Sequence, residues 1–135
     1  MKCNKTVGNA FEQEFCELLA ANGFWAHNMA QNKAGQPADV IAVRNNRAIL
    51  IDCKDCTNDR FDLSRIEPNQ ETAMTLWLST GNKFCYFALR LSNKQIYLIP
   101  FSELIKREKD LTLSDITSGF MSFEKWVGVM LCSLA

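Results

Sequence analysis

Residues 38–54 read ADVIAVRNNRAILIDCK, and this stretch decides what the chain can be. Two apolar, strand-forming runs flank Asn45 and Asn46, a pair that tolerates the positive φ angles of a two-residue hairpin turn. Such a turn sets the register of the hairpin: Arg44 opposite Arg47, Ile41 opposite Leu50 and Asp39 opposite Asp52. The pattern therefore predicts two carboxylates that face each other across adjacent strands.

Two facing carboxylates need an explanation. Opposed Cβ atoms in an antiparallel ladder lie about 4.5–5.5 Å apart, where like charges are unfavourable. A divalent cation would turn the repulsion between Asp39 and Asp52 into attraction, and Mg²⁺ binds one or two carboxylates together with waters and phosphate oxygens. Lys54 projects from the same strand face as Asp52 and can orient or deprotonate an attacking water. The alternative is that both carboxylates are simply solvated near a sheet edge.

Two further polar residues fall on apolar helical stripes. A predicted helix over residues 7–21 buries Phe11, Phe15, Leu18 and Leu19, and at about 100° per residue Glu12 lies inside that stripe. Gln70 shares a face with Ala73, Met74 and Trp77 on a predicted helix over 68–79. A carboxylate or amide there needs a partner or a metal ion. Each alone is typical of a partnered core residue, whereas both together with the Asp pair and Lys54 indicate a site.

Length and composition bound the remaining possibilities. With 135 residues and zero net charge, the chain is expected to form one domain over residues 1–135, without a global positive field. The start has no apolar signal-peptide core, and residues 127–135 are too short to span a bilayer. We therefore expect a cytoplasmic protein without membrane contact, in which the six cysteines are reduced.

The order of elements predicts a mixed α/β sheet of about five strands flanked by helices. Both hairpin strands are almost wholly apolar, which is typical of a sheet covered on both faces. The predicted strands are 24–29, 39–44, 47–54, 83–89 and 95–99, and the predicted helices are 7–21, 68–79, 101–109 and 122–134. The last of these is expected to pack in the core, with a dimer interface as the alternative.

The ordered motifs resemble a known superfamily. Gly8-x-x-Phe11-Glu12, Pro37-Ala38-Asp39 and Asp52-Cys53-Lys54 are similar to the motifs of the PD-(D/E)XK nucleases. The segment FDLSRIEPNQ at 61–70, followed by Gly81, Tyr97 and Pro100, resembles the RecU-like Holliday junction resolvases. The resemblance covers roughly residues 5–104. It implies a restriction-endonuclease-like α/β fold and a Mg²⁺-dependent, structure-selective DNA endonuclease that resolves Holliday junctions, encoded by a bacterium or a phage.

The resemblance also assigns roles to residues. Glu12, Asp39 and Asp52 would ligate Mg²⁺ or Mn²⁺ with help from the Cys53 carbonyl. Lys54 would position or activate water, and Gln70 would support the site. Such enzymes are homodimers, because a four-way DNA junction offers two symmetric strands to cut.

Other features keep alternatives open. The loop 31–37 is shorter than the junction-probing insertion of fuller RecU-like chains, and Asn69 replaces the family's His. A restriction- or repair-type nuclease on ordinary duplex, or an inactive DNA- or partner-binding module, would share these motifs. A thiolate metal centre at Cys53 and Cys56 is disfavoured because further ligands are lacking. Five basic residues flank the site and are expected to contact DNA phosphates: Lys2, Lys5, Lys33, Arg60 and Arg65.

Overall fold

A mixed sheet of seven strands forms the centre of this computed structural model, which describes residues 4–5, 10–29 and 37–132. Its strands are β1 (Asn4–Lys5), β2 (Trp25–Asn28), β3 (Val40–Arg44), β4 (Arg47–Cys56), β5 (Cys85–Leu91), β6 (Ile96–Pro100) and β7 (Met121–Ser122). The helices are α1 (Ala10–Ala21), α2 (Pro68–Ser79), α3 (Phe101–Leu104), α4 (Leu113–Gly119) and α5 (Phe123–Leu131).

The strands lie in sequence order across the sheet. The pairs β1–β2 and β4–β5 are parallel, and the other four pairs are antiparallel. The crossover from β4 to β5 carries α2. The five predicted strands are confirmed as β2 to β6, and the mixed α/β class is confirmed with them. The two outer strands have two residues each, too few to show a pattern in sequence.

The hairpin between β3 and β4 has the predicted turn and register. Asn45 and Asn46 have φ angles of 52° and 61°, as a two-residue turn of this type requires. Arg44 pairs with Arg47, and Ile41 pairs with Leu50. The Asn45 side chain also donates to the carbonyls of Met130 and Leu131 at 3.2 Å, which ties the turn to the end of α5.

Apolar side chains cover both faces of the sheet, as predicted. On one face α1 and α5 pack over Ile49 and Ile51 of β4. On the other face α2, α3 and α4 pack over Leu50 and Cys56 of the same strand. Because β4 is buried on both sides from Ile49 to Cys53, a charged residue within that part of the strand meets protein rather than solvent.

The helix predictions differ from the structure at the carboxyl end of the chain. The helix predicted over 101–109 ends at Leu104, and a second helix, α4, was missed. Thr112 caps α4 by accepting from the Asp115 N–H, while the Asp115 side chain accepts from the Thr112 N–H. In α5 the apolar residues Phe123, Trp126, Val127 and Met130 are buried, which confirms core packing. Within the described ranges no helix is both long and apolar enough to cross a membrane.

The cysteines follow the prediction only in part. Cys16 is disulfide-bonded, so the expectation of reduced thiols is wrong at this position. Cys53, Cys56 and Cys85 are free and buried, which fits their placement in apolar runs, whereas Cys132 is free and exposed.

Candidate active site

The site lies where β4 continues beyond the start of β3. The regular pairing ends at Val40 and Ile51. One residue further, the Asp39 N–H donates to the Ile51 carbonyl at 3.1 Å, and the Cys53 N–H donates to Asp39 Oδ2 at 2.7 Å. Asp39 therefore precedes β3 instead of opening it as predicted, and its carboxylate takes the place that the next strand residue would occupy. This bond holds the carboxylate against the edge of β4.

Asp52 is fully buried and has three polar neighbours. Gln70 Nε2 donates to its Oδ1 at 2.9 Å, and Lys54 Nζ lies 3.2 Å from its Oδ2. A side-chain hydrogen bond joins Asp52 to Asp39. The two carboxyl groups that were expected to meet across the hairpin are thus in contact, with Lys54 beside them.

Gln70 is oriented by the start of α2. Pro68 occupies the first turn of the helix, and Glu67 forms a capping box with Gln70. The Glu67 N–H donates to Gln70 Oε1 at 3.2 Å. Because the amide oxygen is engaged by the helix cap, the NH₂ group is the end that faces Asp52. The buried amide that stood out in sequence therefore joins the helix start to the buried carboxylate.

Glu12 approaches from the opposite face of the sheet. It is 4% exposed on α1, in the first turn, and its charge acts on the Cys53 thiol. Cys53 packs on the α1 face of β4, whereas Asp52 is bonded to α2. In the described part of the chain, no three His, Cys, Asp or Glu side chains are arranged to hold a metal ion as they stand. Two carboxylates are brought together, and the three-carboxylate ligand set stays a prediction.

The electrostatics of the site show an excess of buried negative charge. Burial, and next the charge of Asp39, raise the pKa of Asp52 to about 8, although Lys54 opposes the shift. Burial raises the pKa of the Cys53 thiol well above its usual range, and the charges of Asp39, Asp52 and Glu12 add to this. The thiolate is the form that binds metal, so this shift disfavours a thiolate centre, as the lack of further ligands in the sequence does.

The donor atoms suit a hard divalent cation. Carboxylate and carbonyl oxygens are the ligands that Mg²⁺ and Mn²⁺ prefer. In an extended strand the N–H and C=O of one residue point to the same side, so the Cys53 carbonyl faces the Asp39 side, as its N–H does. The residues present therefore fit the cation that the sequence predicted.

The predicted DNA contacts divide into three groups. Arg60 is engaged by Asp62 at 2.8 Å and Asp110 at 2.9 Å, which neutralise it. Arg65 lies near the site, because its Nη1 donates to the Asp55 carbonyl at 3.1 Å. Lys2 and Lys33, and the Lys5 side chain, lie outside the described residues.

Sequence reasoning missed a neighbouring group of charges. Arg90 of β5 is buried and joins Asp55 of β4 to Glu14 of α1. The available signal was an arginine inside the apolar run 84–91, which resembles the Glu12 and Gln70 anomalies but occurs on a strand.

A family model described as archaeal Holliday junction resolvase (Hjc) matches residues 3–130. The chain belongs to this family. The match places it in the PD-(D/E)XK superfamily and gives its activity class, a structure-selective endonuclease of DNA junctions, as the sequence predicted. The matching model describes the Hjc family, so it does not support the narrower expectation of a RecU-like resolvase. The family is described as archaeal, which disagrees with the predicted bacterial or phage origin.

A solved structure shows the same fold. Hjc from Archaeoglobus fulgidus, described as a Holliday junction resolvase from an archaeal hyperthermophile, is similar with a TM-score of 0.71. The two sequences are 20% identical, and the match covers 90% of this chain and 100% of that one. No curated protein matches the chain.

The raised pKa of Asp52 predicts a stability cost of the site. Between pH 3.8 and about 8 the folded protein retains a proton that the unfolded chain releases, so the free energy of unfolding falls as the pH rises through this range. Asp52→Asn removes the titration, and we expect the metal-free variant to be more stable than the wild type at pH 7. Urea unfolding in EDTA from pH 4 to 8 measures both effects.

Asp55→Asn is the matched control with the opposite sign. Hydrogen bonds from Arg90 lower the pKa of Asp55, so its stabilising effect is present at neutral pH and is lost as the pH falls through its folded-state pKa. This variant should be less stable than the wild type at pH 7. An Asp52→Asn protein no more stable than the wild type at pH 7 would contradict the account.

Proposed function

We propose that the chain is a Mg²⁺- or Mn²⁺-dependent endonuclease that cuts the two symmetric strands of a four-way DNA junction as a homodimer. The observation that carries the proposal is the buried contact between Asp39 and Asp52, with Gln70 and Lys54 on Asp52. Buried like charges are costly unless they are paired or bind metal. One lysine does not keep both carboxyl groups ionised at neutral pH, as the raised pKa of Asp52 indicates, so the site is suited to a further positive charge.

The proposed roles follow the contacts of each side chain. Asp39 and Asp52 would hold the cation, with the Cys53 carbonyl beside them and Glu12 approaching from α1. When bound, the cation would supply Lewis-acid stabilisation of the charge that develops on the scissile phosphate. Gln70 keeps Asp52 in place through a bond fixed by the cap of α2.

Lys54 is the proposed group that acts on water. Its side chain is 14% exposed, so it extends from the buried Asp52 toward the surface where a DNA strand can lie. An ammonium group there can orient the attacking water, deliver or accept a proton, or neutralise the developing charge. Its contact with Asp52 fixes the position of the amine before the substrate arrives.

The finer points of the sequence prediction belong to this proposal. A single nuclease domain over 1–135, a cytoplasmic location and the RecU-like details remain predictions. For the host, the archaeal description of the family is favoured over the bacterial or phage expectation. Support for junction selectivity comes from family membership, since residues 31–36 of the loop 31–37 lie outside the described residues.

Removing either the buried carboxylate or the lysine should abolish cleavage. We expect Asp52→Asn and Lys54→Ala each to slow cutting of a labelled four-way junction by at least about a hundredfold with Mg²⁺ or Mn²⁺. Junction binding should be retained, because neither side chain is needed to hold the DNA backbone. Gel assays of cleavage and anisotropy assays of binding separate the two effects.

Glu108→Gln is the control, since it changes the net charge as Asp52→Asn does but lies on the exposed surface. If the wild-type protein cuts no DNA with either metal, the proposed endonuclease activity is contradicted. Equal cutting of linear duplex would favour a restriction- or repair-type nuclease. Full activity in Asp52→Asn would show that the site is elsewhere.

The two arginines that were predicted to bind DNA should behave differently. Arg65→Gln is expected to weaken junction binding and to reduce the slope of log K against log salt by about one. Arg60→Gln should leave that slope unchanged, because Asp62 and Asp110 already occupy its guanidinium. A salt titration of metal-free binding measures both slopes, and equal slopes for the two variants would refute this assignment.

If the protein acts as a homodimer, we expect it to cut both symmetric strands of one junction. On a supercoiled plasmid with a cruciform, a dimer of two wild-type subunits should yield linear DNA within one encounter. Dimers that combine one wild-type and one Asp52→Asn subunit should yield nicked circles. Sedimentation of the active protein as a monomer at the assay concentration would contradict the dimer.

A further inference from the structure

Arg90 joins the strand that carries Lys54 to a neighbouring strand. It is 8% exposed on β5 and lies opposite Asp55, the residue that follows Lys54. Arg90 Nε donates to Asp55 Oδ1 at 3.2 Å, and Nη2 donates to Oδ2 at 2.7 Å. Two such bonds from a planar guanidinium fix the orientation of the partners as well as their distance.

The same guanidinium holds the first turn of α1. Its Nη1 forms an ion pair with Glu14, and its Cζ lies 4.4 Å from the centroid of the Phe11 ring. Phe11 and Glu14 are three residues apart, so they share one side of the helix, and they flank Glu12 in sequence. A side chain that contacts both therefore sets the rotation and the height of the turn from which Glu12 projects.

A purely stabilising role explains this arrangement poorly. Arg90 is buried, but the side chains of its partners Glu14 and Asp55 are 63% and 43% exposed, and ion pairs open to solvent contribute little to stability. What the bridge does supply is a fixed relation between three elements. Without it, the turn that carries Glu12 would lose the ion pair at Glu14 and the ring contact at Phe11.

We propose that Arg90 is a positioning residue for the metal site. By joining Asp55 to Glu14 and Phe11, it fixes the turn of α1 that carries Glu12 relative to β4, so that Glu12 can reach a cation held by Asp39 and Asp52. This inference rests on the proposed metal-dependent function and adds to it a residue that touches none of the reacting atoms.

Replacing Arg90 by a neutral residue has two effects, which would change the affinity for a metal ion in opposite directions. Removal of the positive charge leaves Asp55 and Glu14 unbalanced near the site, and this alone would attract a cation more strongly. Loss of the bridge instead frees the first turn of α1 and weakens the site. Loss of a supporting partner around a metal site typically costs about 10–100-fold in metal affinity.

The test is the affinity of the DNA-free protein for Mn²⁺, measured by calorimetry. We expect Arg90→Gln to bind Mn²⁺ about tenfold or more weakly than the wild type. The Mn²⁺ affinity of Arg90→Lys should lie between those of the wild type and Arg90→Gln, because lysine keeps the charge but cannot form the two hydrogen bonds to Asp55. Equal or tighter binding by Arg90→Gln overturns the proposal. If Arg90→Gln does not fold, Arg90→Lys is a sufficient test because it conserves the charge. An unchanged Mn²⁺ affinity in Arg90→Lys then overturns the proposal.

Arg107→Gln is the matched control. It removes an ion pair with Asp115, 3.3 Å long, between the α3–α4 connection and α4. Arg107→Gln should lower stability without changing Mn²⁺ affinity. If it lowers the affinity as much as Arg90→Gln does, the effect of Arg90 is one of general stability and the proposal is overturned. A wild type that binds no Mn²⁺ would instead overturn the proposed function, so the two failures are distinct.

Discussion

The contact between the Asp39 and Asp52 carboxyl groups is the constraint around which the rest of the site is arranged. It exists because β4 runs past the start of β3, so that Asp39 bonds to the Cys53 N–H in place of a further strand residue. Burial then raises the pKa of Asp52 to about 8, with the charge of Asp39 as the next cause. Gln70, Lys54 and the helix cap at Glu67 are the groups that hold this costly arrangement in place.

The buried carboxyl group of Asp52 lowers the stability of the metal-free fold at neutral pH. An apolar residue at position 52 would suit a central strand that is covered on both faces, and nothing in the fold requires a carboxylate there. The cost is tolerable because the surrounding sheet is well packed, and a bound cation would offset it. Arg90 belongs to the same design, since it places charge in a buried strand to fix the helix that carries Glu12.

The sequence predicted the hairpin and its neighbours because the decisive interactions there are local. Asn45 and Asn46 fix the turn, the turn fixes the register, and Pro68 fixes the start of α2. The same reasoning failed where the structure depends on a short helix or on partners that are distant in sequence. The cap at Thr112 begins a helix of only seven residues, and the Arg90 bridge joins residues that are 35 and 76 positions apart. The engagement of Arg60 by Asp110 was hidden for the same reason.

The central claim is that Asp39 and Asp52 hold one divalent cation together with Glu12. Anomalous diffraction at the manganese edge, from crystals soaked in Mn²⁺, tests this most directly. The account predicts one strong peak within about 2.5 Å of oxygens from both aspartates, with Glu12 moved into its shell. A peak at another place, or none between these two carboxylates, would contradict it.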